Sequence, residues 1–179
     1  SRWHDDRETV MPSRYMTLFD ILGFKVRLNL SWIFLVVLAT WSLARWYFPE
    51  YYLGLSDDTY WWMGAVATMG LLGSLVFHEF AHSLVARRYA LPISSITLLI
   101  FGGVAQMEKE PPSPKVECLM ALAGPIASFA LGAAFYLAFE VGYQMQLPLP
   151  ALGVLRCLAF GNSLLGGLNV LPAFPLDGG

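Results

Sequence analysis

Apolar residues along this chain are gathered into four long runs separated by shorter polar stretches. A helix needs about 20 apolar residues to cross the hydrocarbon core of a bilayer. Each run is of that order, so each predicts a membrane-spanning helix. The first extends from about Leu28 to Phe48, with Arg45 its only charged residue. The second, from about Tyr60 to Ala86, carries only Glu79. The third, Cys118 to Phe139, has no charge at all, and the fourth, about Ala151 to Leu171, has only Arg156 near its start. Trp46, Tyr47, Tyr51, Tyr52, Tyr60, Trp61 and Trp62 cluster where the first two runs meet water, as an aromatic belt does.

The pattern changes between the second and third runs. Ile93 to Ile100 is rich in β-branched and apolar residues, and Phe101-Gly102-Gly103-Val104-Ala105 follows. That composition predicts a short strand or hairpin, lying on the surface or dipping toward the membrane. Irregular backbone is tolerated at depth only where protein or a water cavity surrounds it. Pro111, Pro112 and Pro114 mark a turn before the third run. Met16 to Lys25 mixes apolar and charged residues; it reads as an interfacial amphipathic piece, a strand or a loop. Residues 1–15 are expected to form a polar tail and residues 16–179 a single core. The fold class expected is an all-α polytopic membrane protein, with about four transmembrane helices and a small membrane-associated β element.

Composition agrees. Of 179 residues, 56% are hydrophobic and 13% charged, with a mean hydropathy of +0.55. Soluble domains carry about 25% charged residues, so a soluble globular domain is disfavoured and the lipid bilayer is the expected surrounding. With 11 basic against 13 acidic residues, nothing marks a nucleic-acid surface, and nucleic acid is excluded as a partner. Cys118 and Cys157 lie in apolar runs and belong to no C-x-x-C pair, so both read as packing residues. Basic residues set the orientation. Arg14, Lys25 and Arg27 precede the first run, and Arg87, Arg88, Lys109 and Lys115 follow the second. Glu50, Asp57 and Asp58 occupy the loop between them, and Glu140 to Pro150 has no Lys or Arg. This places the N-terminus and the end of the second span on the cytoplasmic side.

The chemistry lies inside the second run, at His78-Glu79-Phe80-Ala81-His82. On a helix, residues i and i+4 lie about 40° apart and about 6 Å along the axis, so both imidazoles reach one ion. Glu79 sits about 60° from His82 on the other side, able to touch a metal-bound water without ligating the metal. This H-E-x-x-H pattern supplies two zinc ligands and a general base. With 3 His and 7 Glu in the chain, a chance match has odds of roughly one in 500. Ionisable residues at membrane depth cost at least about 2.5–3.5 kcal/mol, which makes them functional candidates by default. The plainer alternative is interhelical hydrogen bonding by both histidines.

A catalytic zinc usually takes three protein ligands and a water. His4 lies in the polar tail, a poor position for one. Asp177 follows the fourth run on the same predicted side as the end of the second, at comparable depth to His78 and His82. Glu117, before the third run, is its rival, whereas Glu140 falls on the opposite side. An aspartate before Gly178-Gly179 is also an ordinary turn former.

With these residues in hand, the chain resembles the site-2 protease family of intramembrane zinc metalloproteases. The resemblance rests on His78 to His82 in a span and on Asn169-Val170-Leu171-Pro172-Ala173-Phe174-Pro175-Leu176-Asp177-Gly178-Gly179, which matches N-x-x-P-x-x-P-x-D-G. It takes in Phe101 to Ala105 and Ala123-Gly124-Pro125, and extends from about Leu18 to Gly179. It implies one Zn2+ per chain held by His78, His82 and Asp177, with Glu79 as general base and Asn169 helping to stabilise an oxyanion. It implies a β strand through Phe101, Gly102, Gly103 and Val104 that holds a transmembrane protein substrate in extended form. The Ala173-Phe174-Pro175 form resembles the branch whose members often carry CBS domains, so nucleotide regulation through such a domain is implied if the protein continues past Gly179. The family usually does continue there, and truncation after Gly179 is expected. The location implied is a prokaryotic cytoplasmic membrane with the active site toward the cytoplasm. A transmembrane metal-ion transporter, or a purely structural metal site, is the alternative from a different class.

Overall fold

The computed structural model describes residues 15–21, 24–29, 31–89, 91, 93–99, 102–107 and 113–171, with side chains described for 32–89, 91 and 113–171. Among the described residues, four helical stretches are long and apolar enough to cross a membrane: Trp32–Tyr51, Asp57–Arg88, Pro114–Gln144 and Leu149–Val170. The first is built from α1 (Ser31–Ser42), a π-helical turn at Leu43–Tyr47 and α2 (Phe48–Tyr51). The other three are α3 (Asp57–Arg88), α4 (Pro114–Gln144) and α5 (Leu149–Val170).

Capping explains why α3 and α4 outrun the apolar windows that predict them. Ser56 precedes α3 and accepts a hydrogen bond from the Thr59 N–H. Ser113 does the same for Val116 at the start of α4. Each satisfies an orphan donor of the first turn, and Asp57, Asp58 and Glu117 complement the helix dipoles there. Arg87 and Arg88 complement the far end of α3. Pro125 inside α4 removes one intrahelical donor.

The expected start of the first span is corrected. Leu28 belongs to a strand, β2 (Phe24–Asn29), and the helix begins at Ser31. β2 pairs antiparallel with β1 (Tyr15–Ile21) and parallel with β3 (Ile93–Leu99), which pairs antiparallel with β4 (Gly102–Met107). The order is β1-β2-β3-β4. The parallel step joins strands on either side of α1 and α3, as a parallel pair must be joined by a long crossover. In β4, Gly102, Gly103 and Val104 face Leu99, Leu98 and Thr97.

The bundle is apolar outside and partly polar inside. Phe34, Val37, Trp62, Ile126, Leu137 and Phe160 are exposed, whereas His78, Ser83, Ser128 and Asn162 are at most 1% exposed. Lipid tails are as apolar as Leu, so side chains facing them gain nothing by being buried, and polar groups find partners between helices.

Candidate metal centre

His78 and His82 lie on α3, one turn apart, on the side that meets α4. Their Nε2 atoms are 3.1 Å apart, and the rings stand at 70° to one another. His78 is fully enclosed and His82 half-buried. Each ring is held from behind by α4. His82 Nδ1 lies 2.6 Å from the Met120 carbonyl oxygen. A carbonyl only accepts, so that nitrogen carries the proton and leaves the Nε2 lone pair for another partner. His78 Nδ1 lies 2.8 Å from Ser128 Oγ. Between Met120 and Ser128 stands Gly124, against the two rings. A Cβ built on Gly124 would overlap His82 Nε2 and meet His78 Nε2 and Cε1. Met120, Gly124 and Ser128 follow at i, i+4 and i+8 and share one face of α4.

This donor set suits zinc. Tetrahedral zinc with Zn–N bonds of 2.0–2.1 Å places two nitrogens about 3.3 Å apart, close to the 3.1 Å separation here. The glycine opposite leaves the space that a side chain would fill. Glu79, between the histidines, is half-buried, and its carbonyl accepts the Ser83 hydroxyl at 3.0 Å.

The other expected site residues fall out unevenly. Asn169 lies in the last turn of α5, is 9% exposed, and donates one amide hydrogen to the Leu165 carbonyl at 2.8 Å. An amide nitrogen has a second hydrogen to give. Glu117, the rival third ligand, is exposed in the first turn of α4. It does not join the histidines: among the described residues no three His, Cys, Asp or Glu side chains gather closely enough to hold an ion. Asp177 and Phe101 lie outside the described residues. Two partners of the histidines escape the sequence reading. A backbone carbonyl such as that of Met120 has no signature in a sequence. Ser128 has a faint one, a polar residue one helical turn after Gly124.

The comparisons bear on the same elements. The peptidase family M50 matches residues 66–151, which include the histidine pair and the α4 wall. The Rip3 protein of Mycobacterium tuberculosis is 40% identical over 159 residues, covering 89% of this chain and 40% of its own length. Zinc metalloprotease MJ0392 of Methanocaldococcus jannaschii is 35% identical over 163 residues, 90% of this chain and 42% of that protein. The solved site-2 protease from Methanocaldococcus jannaschii superposes with a TM-score of 0.65 at 32% identity, covering 93% of this chain and 68% of that one. The chain belongs to the site-2 protease family. As a member of that family it is an integral membrane protein, and its own His78-Glu79-Phe80-Ala81-His82 segment lies on α3 against α4. It spans about two-fifths of the length of the curated relatives it matches.

Proposed function

We propose that this chain is the core of an intramembrane zinc metalloprotease that hydrolyses peptide bonds in or near transmembrane segments of other proteins. The observation that carries the reading is the histidine pair, with both Nε2 atoms turned to one point inside a membrane-spanning bundle. His78 and His82 would hold one zinc per chain, with Asp177 as third ligand. Bound there, zinc supplies Lewis-acid chemistry and lowers the pKa of water.

The remaining steps belong to the chain's own side chains. Glu79 takes the proton of the attacking water and returns it to the leaving amine, the two halves of general acid–base catalysis. The second amide hydrogen of Asn169 meets the negative charge that develops on the substrate carbonyl oxygen. A transmembrane helix exposes its peptide bonds only when unwound, and the freed backbone groups need partners inside the membrane. β4 is last in the sheet order among the described strands, and strand addition along Gly102, Gly103 and Val104, with Phe101 just before them in sequence, would satisfy the backbone of such a segment. This role requires the sheet to be membrane-associated. The family resemblance supports a prokaryotic cytoplasmic membrane, and the basic loops favour an orientation with the N-terminus and active site toward the cytoplasm. Residues 16–179 form the core behind a polar tail. In a longer protein, a CBS domain would add nucleotide regulation.

Glu79→Gln tests the mechanism. In proteoliposomes holding a transmembrane substrate, it is expected to keep zinc and lose cleavage by about 10²–10⁴-fold. Cleavage at the wild-type rate would sink the mechanism.

A further inference from the structure

The two histidines are supported differently. His82 is held by a backbone carbonyl that no substitution of its own residue removes, whereas His78 is held by a side chain, Ser128 Oγ, 50 positions away in sequence. Ser128 is 0% exposed, in the middle of a span without charges from Cys118 to Phe139. A hydroxyl buried there has one obvious task, to meet the ring nitrogen 2.8 Å away. Metal-ligating imidazoles depend on such partners, which fix the tautomer and ring orientation, and removing one typically costs about 10–100-fold in metal affinity.

We propose that Ser128 is a positioning residue of the metal centre: its Oγ accepts the Nδ1–H of His78 and so commits Nε2 to the ion. The proposal rests on the zinc reading above. It extends that reading to α4, whose Met120 carbonyl, Gly124 and Ser128 form one stripe that orients both rings and keeps the space before them clear. Helix α4 thus contributes to the centre without supplying a ligand.

The test is zinc affinity of the full chain in detergent, by competition with a chromogenic chelator, for wild type, His78→Ala, Ser128→Ala and Ser74→Ala. Ser74 is a control: another buried serine of the bundle, bonded to Asn162 and the Gly70 carbonyl rather than to a histidine. The expected result is loss of zinc in His78→Ala, about 10–100-fold weaker binding in Ser128→Ala, and wild-type affinity in Ser74→Ala. Wild-type affinity in Ser128→Ala, beside loss in His78→Ala, overturns the positioning role and leaves the zinc reading standing. An equal loss in Ser74→Ala also overturns it, because the effect is then general to the bundle. Failure of wild type to bind zinc, or no effect of His78→Ala, removes both. Nitrogen-15 spectra of histidine in the zinc-loaded wild type decide the matter if Ser128→Ala does not fold. A protonated Nδ1 and zinc-bound Nε2 on His78 uphold the proposal, and zinc on Nδ1 overturns it.

Discussion

The two halves of α3 meet their neighbours by different means. Its first half packs Tyr60, Met63 and Ala67 with Phe48, Tyr52 and Cys157 in an apolar cluster. Burial pushes the Tyr52 phenol above its ordinary range there, with Arg156 pulling it back. The Tyr60 hydroxyl donates to the Tyr52 carbonyl at 2.5 Å. The second half buries the polar residues Ser74, His78 and Ser83, against Thr68 alone in the first half. Each of these three is tied down: Ser74 to Asn162 and the Gly70 carbonyl, His78 to Ser128, Ser83 to the Glu79 carbonyl. In lipid, a buried polar side chain without a partner costs free energy that packing does not return. One half of α3 therefore holds the bundle together, and the other holds the proposed metal centre at a cost that its partners offset.

Gly124→Ala should have the largest effect and should fall wholly on the chemical half. The added Cβ occupies the place where both Nε2 atoms converge. Zinc binding is expected to drop to background while the helical circular-dichroism signal stays. Zinc content after reconstitution checks this. Retention of wild-type affinity would mean that α4 is not the wall of the metal centre.

The chemical half was also the more legible in the sequence. His78, Glu79 and His82 are fixed relative to one another by a single helix, so spacing alone predicts their convergence. What completes the site comes from other segments, and spacing is silent about those. Ser128 reads as any polar residue in a span, and the Met120 carbonyl cannot be read at all. Asp177 was legible only as one candidate beside Glu117, by side and depth, and the roles proposed for it and for Asn169 rest on the resemblance, because their motif acquires meaning by where the chain brings it. For the fold, the four spans were visible as apolar runs, but their ends were not. Ser56 and Ser113 start helices before the apolar windows open. Leu28 read as span because an apolar strand and an apolar helix adjoin, and a short apolar run has no periodicity to separate them. The π-helical turn at Leu43–Tyr47 has no comparable mark.

Phe48→Ala probes the packing half. Its ring is fully enclosed, within 6.2 Å of the Tyr52 ring centroid and 5.3 Å of that of Tyr47. Truncating a buried Phe costs about 3–5 kcal/mol in water-soluble cores. Lipid weakens the transfer part of that cost and leaves the lost contacts, so about 2–4 kcal/mol is expected here. Reversible unfolding in mixed detergent–SDS micelles measures it. Zinc affinity of the folded fraction should not change. A fall in affinity comparable to that of Ser128→Ala would show the two halves to be one cooperative unit.

Asp57→Asn sharpens the comparison from the small side. Asp57 opens α3 and lies 3.7 Å from Arg45, with side chains 81% and 51% exposed. An exposed ion pair contributes about 0.2–1 kcal/mol, and the carboxylate gains about 0.3–1 kcal/mol from the helix N-terminus at low ionic strength. Asn keeps much of the shape and loses both charge effects. The same unfolding measurement should therefore move by about 0.5–2 kcal/mol, and 0.5 M salt should remove most of the difference. A larger loss that persists in salt would mean that this end is held by charge rather than by the ring cluster beneath it. The packing half would then resemble the chemical half, where single polar partners decide the outcome.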